Sequence, residues 1–292
     1  MVGSVIVQCI KTRGFCRIGI FSARKVIAAA RREWYRKFMC TLVILRRMGH
    51  VWPLLIAANR DEMADRPSLP PGRHWPDRPD VVAGQDLTAG GSWLGINEHG
   101  VVAGVLNRPG SLGPKSDKRS RGELVLEALD HADATDAAAA LCELDPAAYR
   151  PFNLLIADDC DAYWLRHADT GRVEKHVVPA GLSMLTAFDM NDPSSPRVSR
   201  YLPRFAAAKT PDPDSGGWAE WQNLMASRDF DPTAGPRGAL TIVTDGLYGT
   251  VSSSLIALPE FVPTTLAATP RKPIWLFAAG RPGQTPYKPV KI

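Results

Sequence analysis

The sequence predicts an α+β fold, a four-layer αββα sandwich in which helices cover the outer faces of two antiparallel sheets. Predicted strands come first, followed by two helices, further strands, two more helices and final strands, which is the element order of such a sandwich. The composition agrees, because 45% of the 292 residues are hydrophobic and 22% are charged, which is sufficient for one large core. Residues 39–292 show no internal repeat or low-complexity tract, so they are predicted to form a single domain.

The first two strands are predicted to form a hairpin that begins at a cysteine. Residues 39–45 and 54–58 are apolar runs of strand length, and Gly49 in the turn between them suits a positive φ. Asn59-Arg60-Asp61-Glu62 follows the second strand and is predicted to be a polar corner.

The rest of the chain alternates between strands and helices. Residues 63–80 are rich in Pro, Arg and Asp and are predicted to form an irregular loop, and short strands with Gly-rich turns follow over 81–106. Ser120 is predicted to cap a helix, with Glu123 at the capping-box position. The predicted helices are 120–130, 135–144, 196–208 and 217–225. The predicted later strands are 152–157, 162–167, 173–178 and 181–186, which form a meander, and 240–243, 247–258 and 274–278.

The basic character of the chain is confined to its first 38 residues. They hold nine Lys or Arg and one acid, whereas the residues after Phe38 include 26 basic and 29 acidic ones. A mildly acidic body argues against nucleic acid as a partner, and no apolar run is long enough for stable membrane insertion. Residues 22–38 are predicted to form an amphipathic, Arg-rich helix.

Three interpretations of this basic N-terminal extension, residues 1–38, stay open. The favoured one is upstream sequence read in frame because the start codon was placed too early. The alternatives are a mitochondrial transit peptide and a structural helix. The first interpretation predicts a cytoplasmic protein and the second a mitochondrial one.

The cysteines and histidines give no metal signature. Five cysteines and six histidines show no spacing typical of a metal site, so no metal is predicted, and the unpatterned odd cysteine count favours a reducing compartment. Cys142 and Cys160 lie in apolar sequence surroundings and are expected to be packing residues. The histidines are expected at the surface.

Cys40 becomes the N-terminal residue if Met39 is the working start. A thiol and a free α-amine on one residue then form a nucleophile and its base, which is the chemistry of N-terminal nucleophile hydrolases. The amine has a reference pKa of roughly 7.7 to 8.0, below the thiol value of about 8.5, so it can take the thiol proton at neutral pH.

Seven short motifs occur in order along the chain: Met39-Cys40, Asn59-Arg60-Asp61-Glu62, Gly90-Gly91-Ser92-Trp93-Leu94-Gly95, Asn107-Arg108-Pro109, Ser120-Arg121-Gly122, Phe152-Asn153-Leu154-Leu155 and Tyr248-Gly249-Thr250-Val251-Ser252-Ser253-Ser254. Each motif is weak alone, but the ordered set resembles the NRDE family, the transport and Golgi organisation proteins and their bacterial relatives. This resemblance implies an N-terminal nucleophile hydrolase-like αββα sandwich. Members of the family have been linked to haem trafficking and to lipid or acyl-CoA handling.

A more distant resemblance is to the cysteine-type amidohydrolases penicillin V acylase and bile-salt hydrolase. It implies that Arg60 and Asp61 support Cys40 and that Asn107 stabilises an oxyanion. The chain departs from that pattern at two positions. Ala187 stands where those enzymes carry a second Asn, and Val251 stands where many eukaryotic family members carry an Arg.

The leading hypothesis is an N-terminal-cysteine amide hydrolase, or a relative with a degenerate site, in which Cys40 attacks an amide or thioester carbonyl of a small acylated metabolite. The alternative is a non-enzymatic carrier of haem or another hydrophobic metabolite, which would need no other cofactor and would tolerate Cys40→Ala. Both predict a small-molecule partner. The residues could also be structural, with Cys40 as an inward strand residue and the acidic and basic side chains as an ion-pair cluster. The predicted catalytic residues are Cys40, Arg60, Asp61 and Asn107, and the predicted substrate-binding residues are Asn59, Glu62, Ser92 and Trp93.

Overall fold

The structure, a computed structural model, describes residues 5–12, 15–22, 40–262 and 271–292. The chain divides into two compact units, Met1–Lys37 and Phe38–Ile292. In the first unit, β1 (Val5–Thr12) and β2 (Phe15–Ser22) pair as an antiparallel hairpin. The helix predicted over 22–38 lies outside the described residues except for its first residue, which ends β2.

Within the described part of the second unit, the strands form two antiparallel sheets. The seven-stranded sheet has the order β11-β10-β9-β8-β7-β6-β5, and the six-stranded sheet has the order β12-β3-β4-β13-β14-β15. The strands are β3 (Thr41–Arg46), β4 (Leu54–Met63), β5 (Ser68–Gly72), β6 (Val81–Asp86), β7 (Leu94–Asn97), β8 (Val102–Asn107), β9 (Phe152–Ala157), β10 (Ala162–His167), β11 (Val173–Val177), β12 (Gly181–Leu185), β13 (Tyr248–Leu258), β14 (Ile274–Ala278) and β15 (Lys288–Pro289).

Helices cover the outer face of each sheet. Helices α1 (Gly122–Leu129) and α2 (Ala134–Cys142) share an apolar core with the seven-stranded sheet. Helices α3 (Pro196–Ala207) and α4 (Ala219–Met225) share another with the six-stranded sheet. A third core, built from both sheets, fills the space between them. The predicted αββα sandwich is therefore confirmed.

The alternation of side chains along β4 decides which polar groups enter the space between the sheets. Ile56 and Ala58 belong to the core between the sheets, whereas Leu55 and Ala57 belong to the core under α3 and α4. Successive residues of a strand point to opposite faces. Arg60 therefore lies on the inner face, and its neighbours in sequence lie on the helix-covered face.

Asn59-Arg60-Asp61-Glu62 is not the predicted corner. These four residues belong to β4, which remains paired with β13 up to Met63. The pairing continues because a register shift between Thr250 and Ser252 accommodates one extra residue in β13. The polar groups are consequently held by a sheet rather than by a loop.

Two segments differ in secondary structure from their prediction. The predicted loop over 63–80 contains β5, which pairs with β6 at the edge of the seven-stranded sheet. The predicted strand over 240–243 is irregular although buried, because its backbone bonds to scattered partners: Thr241 donates to the Ser227 carbonyl, and Ile242 donates to the Thr250 hydroxyl.

The predicted four-strand meander divides between the two sheets. Strands β9, β10 and β11 are neighbours as expected, but β12 crosses to the six-stranded sheet and pairs with β3. Two burial predictions were also wrong, since Cys160 is exposed and His167 is buried against Phe152. Gly49 has the predicted positive φ, 72°.

Candidate functional site

A small cleft that is open to solvent lies at one end of the core between the two sheets. Both sheets contribute to its walls, and Cys40 lies where β3 begins, opposite Arg60 of β4. Ser252 and Ser254 of β13 lie on the same wall. The lining residues are Cys40, Thr41, Leu42, Ala58, Asn59, Arg60, Trp93, Leu94, Val105, Leu106, Ser252, Ser253 and Ser254.

The Cys40 thiol is partly buried and contacts the backbone of Asp61. The Asp61 N–H donates to Sγ over 3.4 Å, and Sγ lies 3.7 Å from the Asp61 carbonyl oxygen. Burial raises the pKa of the Cys40 thiol to about 12, and the Asp61 carboxylate adds to the increase. With Met39 attached, the thiol is therefore protonated at neutral pH and needs a base to react.

Arg60 is the charged group of the cleft. Its side chain is buried, and its guanidinium lies 4.0 Å above the centre of the Trp93 ring. Nη1 donates to the Ser68 hydroxyl over 3.0 Å. Burial lowers the pKa of Arg60, and nearby Glu62 opposes the decrease. This arrangement places a cation beside the thiol without an ion pair to any described carboxylate.

Trp93 and Ser92 lie in the connection between β6 and β7. The Trp93 ring packs against the bare Cα of Gly84 in β6, where any Cβ would collide with it. The Ser92 hydroxyl accepts from Leu94 N over 3.2 Å and donates to the Leu94 carbonyl over 3.1 Å. The indole thus forms a wall of the cleft, whereas the serine hydroxyl holds the turn that positions it.

Asp61 faces away from the cleft, toward α3. Its carboxylate pairs with Arg197 at 2.8 Å, and both side chains are fully buried. The Thr250 hydroxyl donates to the same carboxylate over 2.5 Å, and Arg197 also donates to the Thr41 hydroxyl over 2.6 Å. Burial raises the pKa of the Asp61 carboxyl, although Arg197 and Thr250 oppose the increase. This network joins β3, β4 and β13 on the face of the sheet opposite to the Cys40 thiol.

Asn59 and Glu62 also make structural contacts. The Asn59 amide donates to the carbonyls of Met225 and Leu240 over 3.0 and 2.9 Å, so it ties β4 to the end of α4. Glu62 accepts from the Met63 N–H and lies 3.8 Å from Arg66. None of these bonds involves the Cys40 thiol.

Asn107 ends β8 and is partly buried, outside the set of cleft-lining residues. Its side-chain amide makes no hydrogen bond to any residue in the described ranges. The next residue, Arg108, is anchored by Asn153 and Asp189, each at 2.7 Å. Asn107 therefore lies at the end of a fixed strand with its amide free.

Two residues near Cys40 were not among the predicted site residues. Arg197 was missed because its partner Asp61 is remote in sequence, although alternation along β4 already required a buried partner on the helix side. Arg121, predicted only as part of a motif, donates to Ser111 Oγ over 2.8 Å and to the Pro151 carbonyl over 3.0 Å. Burial and the charge of Arg150 lower its pKa to about 10, and the Cys40 thiolate and Glu62 oppose the decrease.

Other potential binding features are few in the described ranges. Asp158, Asp159 and Cys160 form a group with metal-ligating atoms close together. Asp158 Oδ1 already accepts from the Cys160 and Asp161 backbones over 2.8 and 2.6 Å, which is the geometry of a turn. Among the described helices, none combines the length and apolar character required to cross a bilayer.

The family model for transport and Golgi organisation 2 matches residues 39–259, which include the whole cleft. The chain belongs to this family. The human transport and Golgi organization protein 2 homolog is 33% identical over 114 residues, and the mouse homolog is 32% identical over the same length. The matched part is 37% of this chain and 40% of each relative, so the chain spans less than half the length of these curated family members.

Two solved structures are similar to this chain at low sequence identity. A Caenorhabditis elegans N-acylethanolamine-hydrolyzing acid amidase ortholog superposes with a TM-score of 0.52 at 12% identity, over 74% of this chain and 92% of that one. Penicillin V acylase from Agrobacterium tumefaciens gives a TM-score of 0.43 at 14% identity, over 86% and 98%. This transport and Golgi organisation family member therefore shares its fold with the amidase ortholog.

Proposed function

We propose that this protein is an N-terminal-cysteine hydrolase that cleaves an amide or thioester bond of a small acylated metabolite. The observation that supports this most directly is the position of the Cys40 thiol, at the start of an inner strand and in a cleft that also holds the Arg60 guanidinium. Apolar side chains such as Leu42 and Leu106 line the same cleft and suit an acyl chain.

In the proposed reaction, removal of Met39 frees the α-amine of Cys40, which takes the thiol proton. The thiolate attacks the carbonyl carbon, the leaving amine or thiol departs with that proton, and a thioester remains on Cys40. Water then hydrolyses the thioester to a carboxylic acid and restores the thiol. Arg60 favours the thiolate, and Asp61 braces the strand through Arg197. Asn107, which lies at the end of β8 outside the residues that line the cleft, is the oxyanion donor that the sequence resemblance implies.

The competing function is a carrier of haem or another hydrophobic metabolite, which would fill the cleft without a chemical role for Cys40. We propose a cytoplasmic location for either function. Cys40, Cys142 and Cys160 are free thiols, which agrees with a reducing compartment.

The test compares the full chain with a form that starts at Met39, after intact mass has shown whether Met39 is removed. We expect the form with Cys40 at its N-terminus to hydrolyse N-acyl amides or acyl thioesters. The full chain should be roughly 10² times slower or more, because its thiol has a pKa of about 12 and lacks the α-amine base.

Two variants complete the comparison. Cys40→Ala should abolish hydrolysis, whereas Cys160→Ala, at an exposed cysteine, should leave it unchanged. Equal hydrolysis by the full chain would contradict the α-amine mechanism. Saturable haem binding by all forms, with no hydrolysis by any, would favour the carrier.

A further inference from the structure

Arg60 is a buried cation whose counter-ion is absent from the described residues. Its side chain is 7% exposed, and no carboxylate in the described ranges lies within 4.0 Å of its guanidinium nitrogens. A guanidinium has five N–H donors, and a single bond, to the Ser68 hydroxyl, is formed here. None of the other Arg60 nitrogens is a buried atom without a partner, so the unused donors reach the solvent of the cleft, where a ligand can replace water.

The unused donors of Arg60 are available to a ligand in the cleft. The Arg60 Cζ atom lies 4.0 Å from the centre of the Trp93 ring, and the N–H bonds lie in the guanidinium plane and point from its edges. Arg60 and Cys40 line the same cleft. An anion bound along a guanidinium edge would therefore lie beside the thiol.

The carboxylates closest to this site are engaged by another arginine. Arg66 lies 2.7 Å from Asp86 and 3.8 Å from Glu62, which leaves neither free to neutralise Arg60 fully. Arg121 is a second guanidinium without a described carboxylate within 4.0 Å, and burial together with the charge of Arg150 lowers its pKa to about 10. Two guanidiniums near the thiol, those of Arg60 and Arg121, thus have no described carboxylate within 4.0 Å.

We propose that the substrate carries an oxyanion group, a carboxylate or a phosphate, which Arg60 binds beside the carbonyl that Cys40 attacks. This inference rests on the proposed function and specifies its substrate class as anionic acyl compounds rather than neutral amides. Arg60 is suited to this role because planar guanidinium edges bind oxyanions with two parallel hydrogen bonds. The cation–π contact with Trp93 holds the guanidinium at the wall of the cleft.

A pair of alkylating reagents of similar size tests this without any need for turnover. Iodoacetate is anionic and iodoacetamide is neutral, and both transfer a two-carbon group to a thiolate with loss of iodide. Both reagents react with the thiolate form. The ratio of their alkylation rates at one cysteine therefore does not depend on the fraction of that thiol that is ionised. Site-resolved peptide mass spectrometry of the full chain gives this ratio at Cys40 and, as an internal reference, at the partly buried Cys142.

We expect the iodoacetate-to-iodoacetamide ratio to be about tenfold higher at Cys40 than at Cys142, the factor for one charge-assisted contact. Arg60→Gln should remove this difference. Arg66→Gln, which deletes a neighbouring arginine that is already paired, should preserve it. Equal ratios at the two cysteines of the wild type, or a ratio unchanged by Arg60→Gln, would overturn the proposal.

Competition measurements on the wild type keep the test decisive if Arg60→Gln does not fold. Propionate or inorganic phosphate should slow the alkylation of Cys40 by iodoacetamide, and the more effective of the two identifies the oxyanion. Propionamide is the neutral control, and equal protection by all three would also refute an anion site. An Arg60-dependent preference in a protein that hydrolyses nothing would refute the proposed function alone.

Discussion

Asp61 and Arg197 form a fully buried ion pair directly behind Cys40. The pair does not touch the cleft, but it joins α3 to β4 and, through Thr41 and Thr250, to β3 and β13. The Asp61 N–H that contacts the Cys40 sulfur belongs to the same braced strand. The position of the thiol therefore depends on a charge network on the opposite face of the sheet.

Replacing Arg197 with Met leaves the Asp61 carboxylate buried without its cation. We expect this variant to lose about 3–5 kcal/mol of unfolding free energy, measured by urea denaturation. Arg204→Met is the matched control on the same helix, since its pair with Asp229 is solvent-exposed and should contribute about 1 kcal/mol or less. Similar losses for the two variants would show that the buried pair has no special structural role.

One wall of the cleft is set by contact between two elements, β6 and the connection that precedes β7. Gly84 of β6 has no side chain, and the six-membered ring of Trp93 occupies the space where a Cβ would lie. Trp93 in turn supports the guanidinium of Arg60. Packing between these elements thus determines the position of the Arg60 guanidinium in the cleft.

Gly84→Ala should displace the Trp93 ring and, with it, Arg60. We expect a loss of about 1–3 kcal/mol in stability from overpacking, a changed tryptophan fluorescence spectrum and a smaller iodoacetate preference at Cys40. Gly246→Ala is the control, because its Cβ would meet a single atom, Thr244 Oγ1, at 3.9 Å. Wild-type stability and an unchanged spectrum in the Gly84→Ala variant would contradict the described packing.

At the scale of the whole molecule, the layers were predictable because their signals are local. Apolar periodicity and helix capping act within one element: Glu123 Oε1, for example, accepts from Ser120 N, which is one half of the predicted capping box. The predicted cap itself was wrong by one residue, because Arg121 is the N-cap of α1. The crossing of β12 to the other sheet was not predictable from such signals, because no local pattern in the sequence identifies the strand edge that β12 meets. The partner of β12, β3, lies far away in the chain.

The candidate site was predictable only in part, because local sequence signals identify some of its residues but not the contacts between residues that are distant in sequence. The sequence identified Cys40 and Arg60, which the fold does bring together in one cleft. It grouped Asp61 with them, although alternation along a strand separates adjacent residues onto opposite faces. Arg197 could not be assigned as the partner of Asp61, since an ion pair between distant residues leaves no local pattern.

The central claim is that Cys40 is a nucleophile that carries the acyl group. The most direct measurement is rapid quenching of the Met39-start form with an acyl thioester, followed by peptide mass spectrometry. We predict an added mass equal to the acyl group on the peptide that begins with Cys40, and no such adduct in Cys40→Ala. Consumption of the thioester with Cys40 unmodified, or at the same rate by Cys40→Ala, would contradict the account.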